Sequence, residues 1–335
     1  MLKLPKTIKM VITDFDGIVT DNCVYIADDG KISRKLNFKD VMGFSILRKN
    51  NYMMGIVSGE GNAAIEILAK KFQIEEVHQN IRIKIDVLKN IKAGKKVIAM
   101  IAPAMLGQLP CTATQLKEAI LELGFSDVYE VAQGADITSK NEATEFVERM
   151  EKGEKFMTTS CCAGYNELVD KHLPEMKPFR SDTKTPMYYT AEIVKKENPD
   201  AVTVFFSPCV AKKREALNNN NVDFVINYEE VGAWMTAKEI KVAECADSEF
   251  KVQSSAEARN YCVTGGVAKA VQVLVPENVE VKPVVIDGLT KQSVRDLKKY
   301  AKNGTCDLGN LIEVMACTGG CLGGNSTVNA YKPAL

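Results

Sequence analysis

Short apolar runs alternate with segments of helical spacing along this chain. The runs 10–13 and 53–57 are continuous and apolar, and each is stopped by polar residues, Asp14-Phe15-Asp16-Gly17 after the first and Ser58-Gly59-Glu60 after the second. Runs of that length bounded by turn formers predict buried strands. Residues 41–49, 63–72 and 82–91 repeat apolar positions every three or four residues and predict helices. A second part begins near Lys95. There 96–102 predicts a strand running into a loop at Pro103, and 114–123 an amphipathic helix closed by Gly124. Residues 126–131 lead into Gly134-Ala135-Asp136, and 139–150 predict a helix. The run 202–206 predicts a strand that delivers Pro208-Cys209, 281–286 another strand and 294–301 a helix. Alternation of strands and helices predicts an α/β fold with mostly parallel sheets. In such folds sites lie beyond the carboxyl ends of the strands.

The 335 residues fit two domains of roughly 150 residues each. With 46% hydrophobic and 26% charged residues the composition is that of a globular protein. Formal net charge is zero, so no basic surface is implied and nucleic acid is not an expected partner. No apolar run is long enough to span a bilayer, so no membrane association is expected. The first apolar run meets Asp14 and Asp16 too soon to be a signal-peptide core. Ten cysteines without an export signal predict a cytoplasmic, reducing setting, with thiols acting as ligands or remaining free.

Five of the cysteines fall in three phrases: Thr-Ser-Cys-Cys-Ala-Gly-Tyr at 159–165, Ser-Pro-Cys-Val-Ala-Lys-Lys-Arg-Glu at 207–215, and Glu-Val-Met-Ala-Cys-Thr-Gly-Gly-Cys-Leu-Gly-Gly at 313–324. Cys23, Cys111, Cys245 and Cys306 sit in no motif and read as small buried hydrophobes. Paired Cys-x-x-Cys knuckles of a zinc site are absent; Cys317 and Cys321 are the only close pair with ligand-like spacing, and Cys162 and Cys209 have no partner at such a spacing. A ferredoxin-type Cys-x-x-Cys-x-x-Cys run is also absent. Thiolates are the ligands that iron–sulfur clusters select. Gly319, Gly320, Gly323 and Gly324 would let backbone pass close to a bulky inorganic group and donate N–H to its sulfides.

The three phrases resemble the signatures of the [FeFe]-hydrogenase catalytic domain, and the resemblance runs over most of 95–335. It implies a two-lobed α/β domain with the cofactor, the H-cluster, between the lobes. Carried over by position, Cys162, Cys209, Cys317 and Cys321 would ligate a [4Fe-4S] cluster. Cys321 would bridge to a two-iron subsite bearing CO, cyanide and a dithiolate. Lys212 would pair with a cyanide, and Ala102, Pro103, Pro186, Ser207 and Met315 would surround the irons and the cluster. Cys161 would be the proton donor, served by a relay of Glu142, Glu145, Arg149 and Ser181. Each relay member has a plainer reading. Ser139 and Glu142 have the spacing of a capping box, and Glu145 with Arg149, four apart on one helix, could be a solvated ion pair of little weight. The family further implies H2 turnover, an external electron carrier such as ferredoxin, and maturation proteins that install the two-iron subsite. The chain departs from the family's active members at Ser207 (usually Met), Ala163 (Pro), Tyr165 (Trp), Met187 (Gln), Cys262 (Gly) and Asn325 (Gly). Similar replacements occur in divergent and sensory members.

The first part, 1–91, resembles phosphatases of the haloacid dehalogenase superfamily that act on 3-deoxy-octulosonate 8-phosphate. The resemblance rests on Ile-Thr-Asp-Phe-Asp-Gly-Ile-Val-Thr-Asp at 12–21, Val-Ser-Gly-Glu at 57–60 and Lys-Ile-Asp-Val-Leu at 84–88. It would make Asp14 the nucleophile and Asp16 the acid/base, with Ser58 and Lys84 on the phosphate and Mg²⁺ between the carboxylates. The acidic motif that completes the family's metal site does not follow, so 1–91 reads as a truncated domain.

Overall fold

The computed structural model describes residues 10–13, 15, 19–20, 25–29, 32–33, 35–36, 38–50, 52–58, 63–74, 76–78 and 83–329. The chain divides into two units, Met1–Ile85 and Asp86–Leu335. The division falls inside the helix Ile83–Lys92, whose Val87 is buried in the core of the larger unit.

The smaller unit holds a three-stranded parallel sheet with Met53–Val57 between Met10–Thr13 and Glu76–His78. The two predicted strands begin and end where the apolar runs do. Helices Phe38–Lys49 and Ala63–Phe72 close a small core around Phe44, Ile56, Ile65, Leu68 and Phe72. Ser58 is buried at the carboxyl end of the central strand. Asp14 and Asp16, and the side chain of Lys84, lie outside the described residues.

The larger unit is built on two all-parallel sheets. One has the order Phe224–Asn227, Val202–Ser207, Val97–Ile101, Asp127–Glu130. The other has the order Pro283–Asp287, Leu311–Met315, Met157–Thr158. Every residue of Val97–Ile101 is buried, which is why that strand reads as an unbroken apolar run rather than an alternating one. Helices Ala113–Glu122, Pro186–Glu197 and Tyr228–Ala237 add their apolar faces to the first sheet, and Phe125, Phe206 and Trp234 pack edge and face beside it. Leu297 and Tyr300 of helix Lys291–Asn303 cover the second sheet together with Phe156, Tyr165 and Val169.

One helix is longer than its sequence pattern. It spans Ala132–Glu151, beginning seven residues before Ser139 and taking in Gly134. Gly134 is there for packing: a Cβ at this position would stand 2.1 Å from the Pro186 carbonyl oxygen and 2.4 Å from Thr190 Oγ1. Glycine thus lets two helices approach backbone to backbone. The capping-box reading of Ser139 and Glu142 falls with it. Ser139 is buried in mid-helix, its Oγ donates to the Ala135 carbonyl at 2.9 Å and it pairs with the Tyr261 hydroxyl at 2.7 Å.

Candidate active site

The carboxyl ends of both sheets meet at one cavity of about 80 Å³, lined almost wholly by apolar atoms. Strand Val97–Ile101 delivers Ala102 and Pro103 to it, Val202–Ser207 delivers Pro208 and Cys209, and Leu311–Met315 ends in Met315 at its wall. Cys161 and Cys162 arrive on the turn after Met157–Thr158, and Cys321 on the Gly-rich loop beyond Met315. Ser207, Pro186, Met187, Ala163, Tyr261 and Cys262 also line it, with Lys212 as its cation. Tyr165 is not part of it; it is fully buried, with its hydroxyl on Thr158 Oγ1 at 2.8 Å.

Cys317 does not line the cavity, but its thiol lies within electrostatic reach of Cys209 and Cys162. Cys321 likewise feels Cys162 and Cys209. Burial pushes the Cys209, Cys317 and Cys321 thiols up, Cys321 most strongly. Backbone amides face these sulfurs. The Ala316 N–H donates to Cys162 Sγ at 3.4 Å, and the N–H groups of Lys212 and Ala211 favour the Cys209 thiolate. Among the described residues no three His, Cys, Asp or Glu side chains converge as ligands of one ion. Cys162, Cys209 and Cys321 line the cavity from three separate segments of the chain.

The glycines of the third phrase serve the backbone more than the cavity. Gly320, at φ 67°, would place a Cβ 2.6 Å from the Cys262 carbonyl oxygen. The Gly319 N–H goes to Asp287 Oδ1 at 2.7 Å, and those of Gly320 and Gly324 go to the Cys317 and Cys321 carbonyls. These three N–H groups are therefore taken up by Asp287 and by carbonyls of the loop itself and are not free for sulfide, contrary to the expectation from sequence.

Lys212 is held by a residue the sequence did not single out. Its Nζ stands 2.7 Å from Glu215 Oε2, with 13% and 21% of the two side chains exposed, and 3.5 Å from the Cys161 carbonyl oxygen. Thr185 Oγ1 donates to the other oxygen of Glu215. Burial alone would lower the Lys212 pKa, but Glu215 and the nearby cysteines outweigh it and the ammonium stays charged. Glu215 sits three residues after Lys212 on the helix Val210–Ala216, a spacing that was legible as an ion pair.

Glu142 is fully buried. Its Oε1 accepts from the Ser160 N–H at 2.7 Å and from Ser160 Oγ at 3.0 Å, while Oε2 has no partner among the described residues. Burial pushes its carboxyl up to about 7 against those hydrogen bonds. One turn further on, Glu145 accepts from Ser181 Oγ at 2.6 Å, from the Asp182 N–H and from Arg149 Nε at 2.9 Å. Burial raises the Glu145 carboxyl, but these donors outweigh it and the net shift is downward. The Glu145–Arg149 pair is not the solvated one the sequence allowed: the side chains are 19% and 11% exposed. Arg149 also donates to the Pro178 and Arg180 carbonyls. Ser160 and Ser181 open onto a second, polar cavity that Arg180, Asp182, Thr185 and Glu215 also line.

The sequence profile of the iron-only hydrogenase large subunit, C-terminal domain, matches residues 95–325. The periplasmic [Fe] hydrogenase large subunit of Nitratidesulfovibrio vulgaris is 30% identical over 296 residues, covering 71% of this chain and 70% of its own. The NADP-reducing hydrogenase subunit HndD of Solidesulfovibrio fructosivorans is 29% identical, and this chain spans about half its length (52%). The fold matches that of [FeFe]-hydrogenase HydA1 from Chlamydomonas reinhardtii with a TM-score of 0.58 at 21% identity, over 75% of this chain and 85% of that one. No helix among the described residues is long and apolar enough to cross a membrane. With its three cysteine phrases gathered at one cavity and a family profile matched over residues 95–325, this chain belongs to the iron-only hydrogenases.

Proposed function

We propose that this protein interconverts protons, electrons and H2 at an H-cluster held in the apolar cavity. The observation that carries the reading is the convergence of Cys161, Cys162, Cys209, Cys321 and Lys212 on one cavity formed by the carboxyl ends of two sheets. Cys162, Cys209, Cys317 and Cys321 would hold a [4Fe-4S] cluster, with Cys321 also reaching the two-iron subsite. Thiols brought to one cavity by separate segments suit an iron–sulfur cluster, which selects soft thiolate ligands. The cluster and its two-iron partner supply the electrons and the metal site at which H–H bonds form or break.

The chain supplies the rest. Ala102, Pro103, Pro186 and Met315 exclude water and fix the shape of the pocket. Lys212, kept charged by Glu215, presents an ammonium to an anionic ligand at the wall. Cys161, buried among apolar side chains, keeps its proton because burial and the Glu142 carboxylate both push its thiol up. Glu142, with a carboxyl near 7, can accept and return that proton at cellular pH. Glu145, held ionised by Ser181 and Arg149, offers the next station, and Ser181 opens it to the polar cavity. Electrons would come from a ferredoxin-like carrier, and the two-iron subsite from maturation proteins.

Ser207, Met187 and Cys262 line the cavity where active members carry other residues, which favours a second reading as a slow or sensory member. Measurement of H2 evolution from the loaded protein under a low-potential reductant separates the two. Steady turnover that Cys161→Ala abolishes without loss of iron supports the catalyst. Infrared bands of a loaded cofactor with negligible turnover support the sensor. Loss of iron in Cys161→Ala would make Cys161 a ligand and contradict the assignment.

A further inference from the structure

Strand Phe224–Asn227 runs parallel to Val202–Ser207 with Asn227 opposite Ser207. Beyond that pair one chain continues to Pro208 and Cys209 and the other to Tyr228. The register thus brings Tyr228 beside Pro208, the residue before the cavity cysteine Cys209. Its side chain is fully buried in the same apolar cluster that contains Cys262 and packs against Cys321. Its hydroxyl has no hydrogen-bond partner among the described residues.

A buried hydroxyl left unpaired is destabilising, a cost that a phenylalanine at the same place would not incur. The groups that act on this hydroxyl electrostatically, after burial itself, are Cys321, Cys262 and Cys209. Burial together with these cysteines holds the phenol well above its ordinary pKa, so it stays neutral and remains a donor. A buried O–H in the cluster that holds Cys262 and meets Cys321, left without any acceptor among the described residues, would be matched by a sulfur acceptor.

We propose that the Tyr228 hydroxyl donates a hydrogen bond to a sulfur of the [4Fe-4S] cluster and raises the cluster's reduction potential. This rests on the reading of Cys209 and Cys321 as cluster ligands. Reduction adds one electron from an external donor to the cluster and moves no proton; Tyr228 keeps its hydrogen. The added negative charge strengthens the hydrogen bond, so the reduced form gains more than the oxidised form does. Tyr228 is a tuning residue that touches the cofactor and takes no part in bond making.

The test is a redox titration of the anaerobically reconstituted full chain, followed by electron paramagnetic resonance of the reduced cluster, with iron counted in parallel. Tyr228→Phe is expected to keep its iron and to titrate at lower potential, with the reduction equilibrium constant down about tenfold, or ~59 mV for one electron. The cluster-free Tyr228→Phe protein is expected to be at least as stable to heat as wild type, since it loses an unpaired hydroxyl. Trp234→Phe removes another unpartnered donor of the same helix, and its potential should stay at the wild-type value. An unchanged potential in Tyr228→Phe at full iron content would overturn the inference, as would an equal shift in Trp234→Phe or loss of iron from Tyr228→Phe. Wild-type protein that assembles no cluster would overturn the ligand reading, and this inference with it.

Discussion

Single residues decide how protons and charge are held around the cavity. Glu142 is the clearest case. Its carboxyl rises from an ordinary 4.5 to about 7 on folding, so between those values the folded state binds the extra proton. Stability from this group is present at low pH and is lost as pH rises towards and past 7, by on the order of 3 kcal/mol in all. Glu142→Gln, whose amide oxygen can still accept from Ser160, should therefore unfold at higher temperature than wild type at pH 8 and lose that difference at pH 5. The same variant should slow H2 turnover by roughly 10²-fold or more, because an amide passes no proton. Equal melting differences at both pH values would mean that Glu142 is ionised when folded. Lys212 and Glu215 offer a second test. Glu215→Gln keeps the contact with Thr185 but leaves a buried ammonium unpaired, which should cost on the order of 3 kcal/mol in urea unfolding. An unchanged midpoint would show that Lys212 finds another anion. Of these residues the sequence phrases indicated Cys161, Lys212 and the two glutamates by resemblance. Glu215 stood unread inside its phrase, and Tyr228 carried no signal because a tyrosine after a strand looks like any core aromatic.

At the scale of elements, what was legible followed from burial. Strands with continuous apolar runs, Val97–Ile101 and Val202–Ser207, were read to within a residue or two because both of their faces are covered. Leu311–Met315 escaped because Glu313 interrupts it. That carboxylate is fully buried but takes the N–H groups of Gly265 and Ala268 at 2.7 and 2.8 Å, tying the strand to helix Gly266–Gln272. Met157–Thr158 is only two residues long and leaves no periodicity to find. The start of Ala132–Glu151 was hidden by Gly134, a helix breaker by propensity that is present for close approach. Gly134→Ala makes the competition measurable. Helix propensity would favour alanine by about 1 kcal/mol, but the Cβ meets the backbone of Pro186 and Thr190, and overpacking of that kind costs about 1–3 kcal/mol. The clash should win, lowering the urea midpoint, because backbone on both sides cannot rotate away. A stabilised Gly134→Ala would show that the two helices can separate freely.

For the larger unit, the chemistry gathers where two parallel sheets end together, so the fold itself explains why Cys161 and Cys321, 160 residues apart in sequence, share one cavity. The sequence singled out the candidate ligand cysteines through their flanking glycines, proline and lysine, and the alternation of elements made the architecture visible. The hydrogen bonds that fix the third phrase came only with the structure, since Asp287 lies 32 residues from the Gly319 it anchors. The N-terminal unit has its own sheet and core, and the family profile starts after it, at residue 95. The central claim, that this cavity holds an H-cluster, is tested most directly by infrared spectroscopy of the protein after co-expression with maturation proteins or loading with a synthetic two-iron complex. The account predicts sharp CO and cyanide bands that shift under H2 and are lost in Cys321→Ser. A protein that carries its [4Fe-4S] signal yet shows no such bands would contradict it.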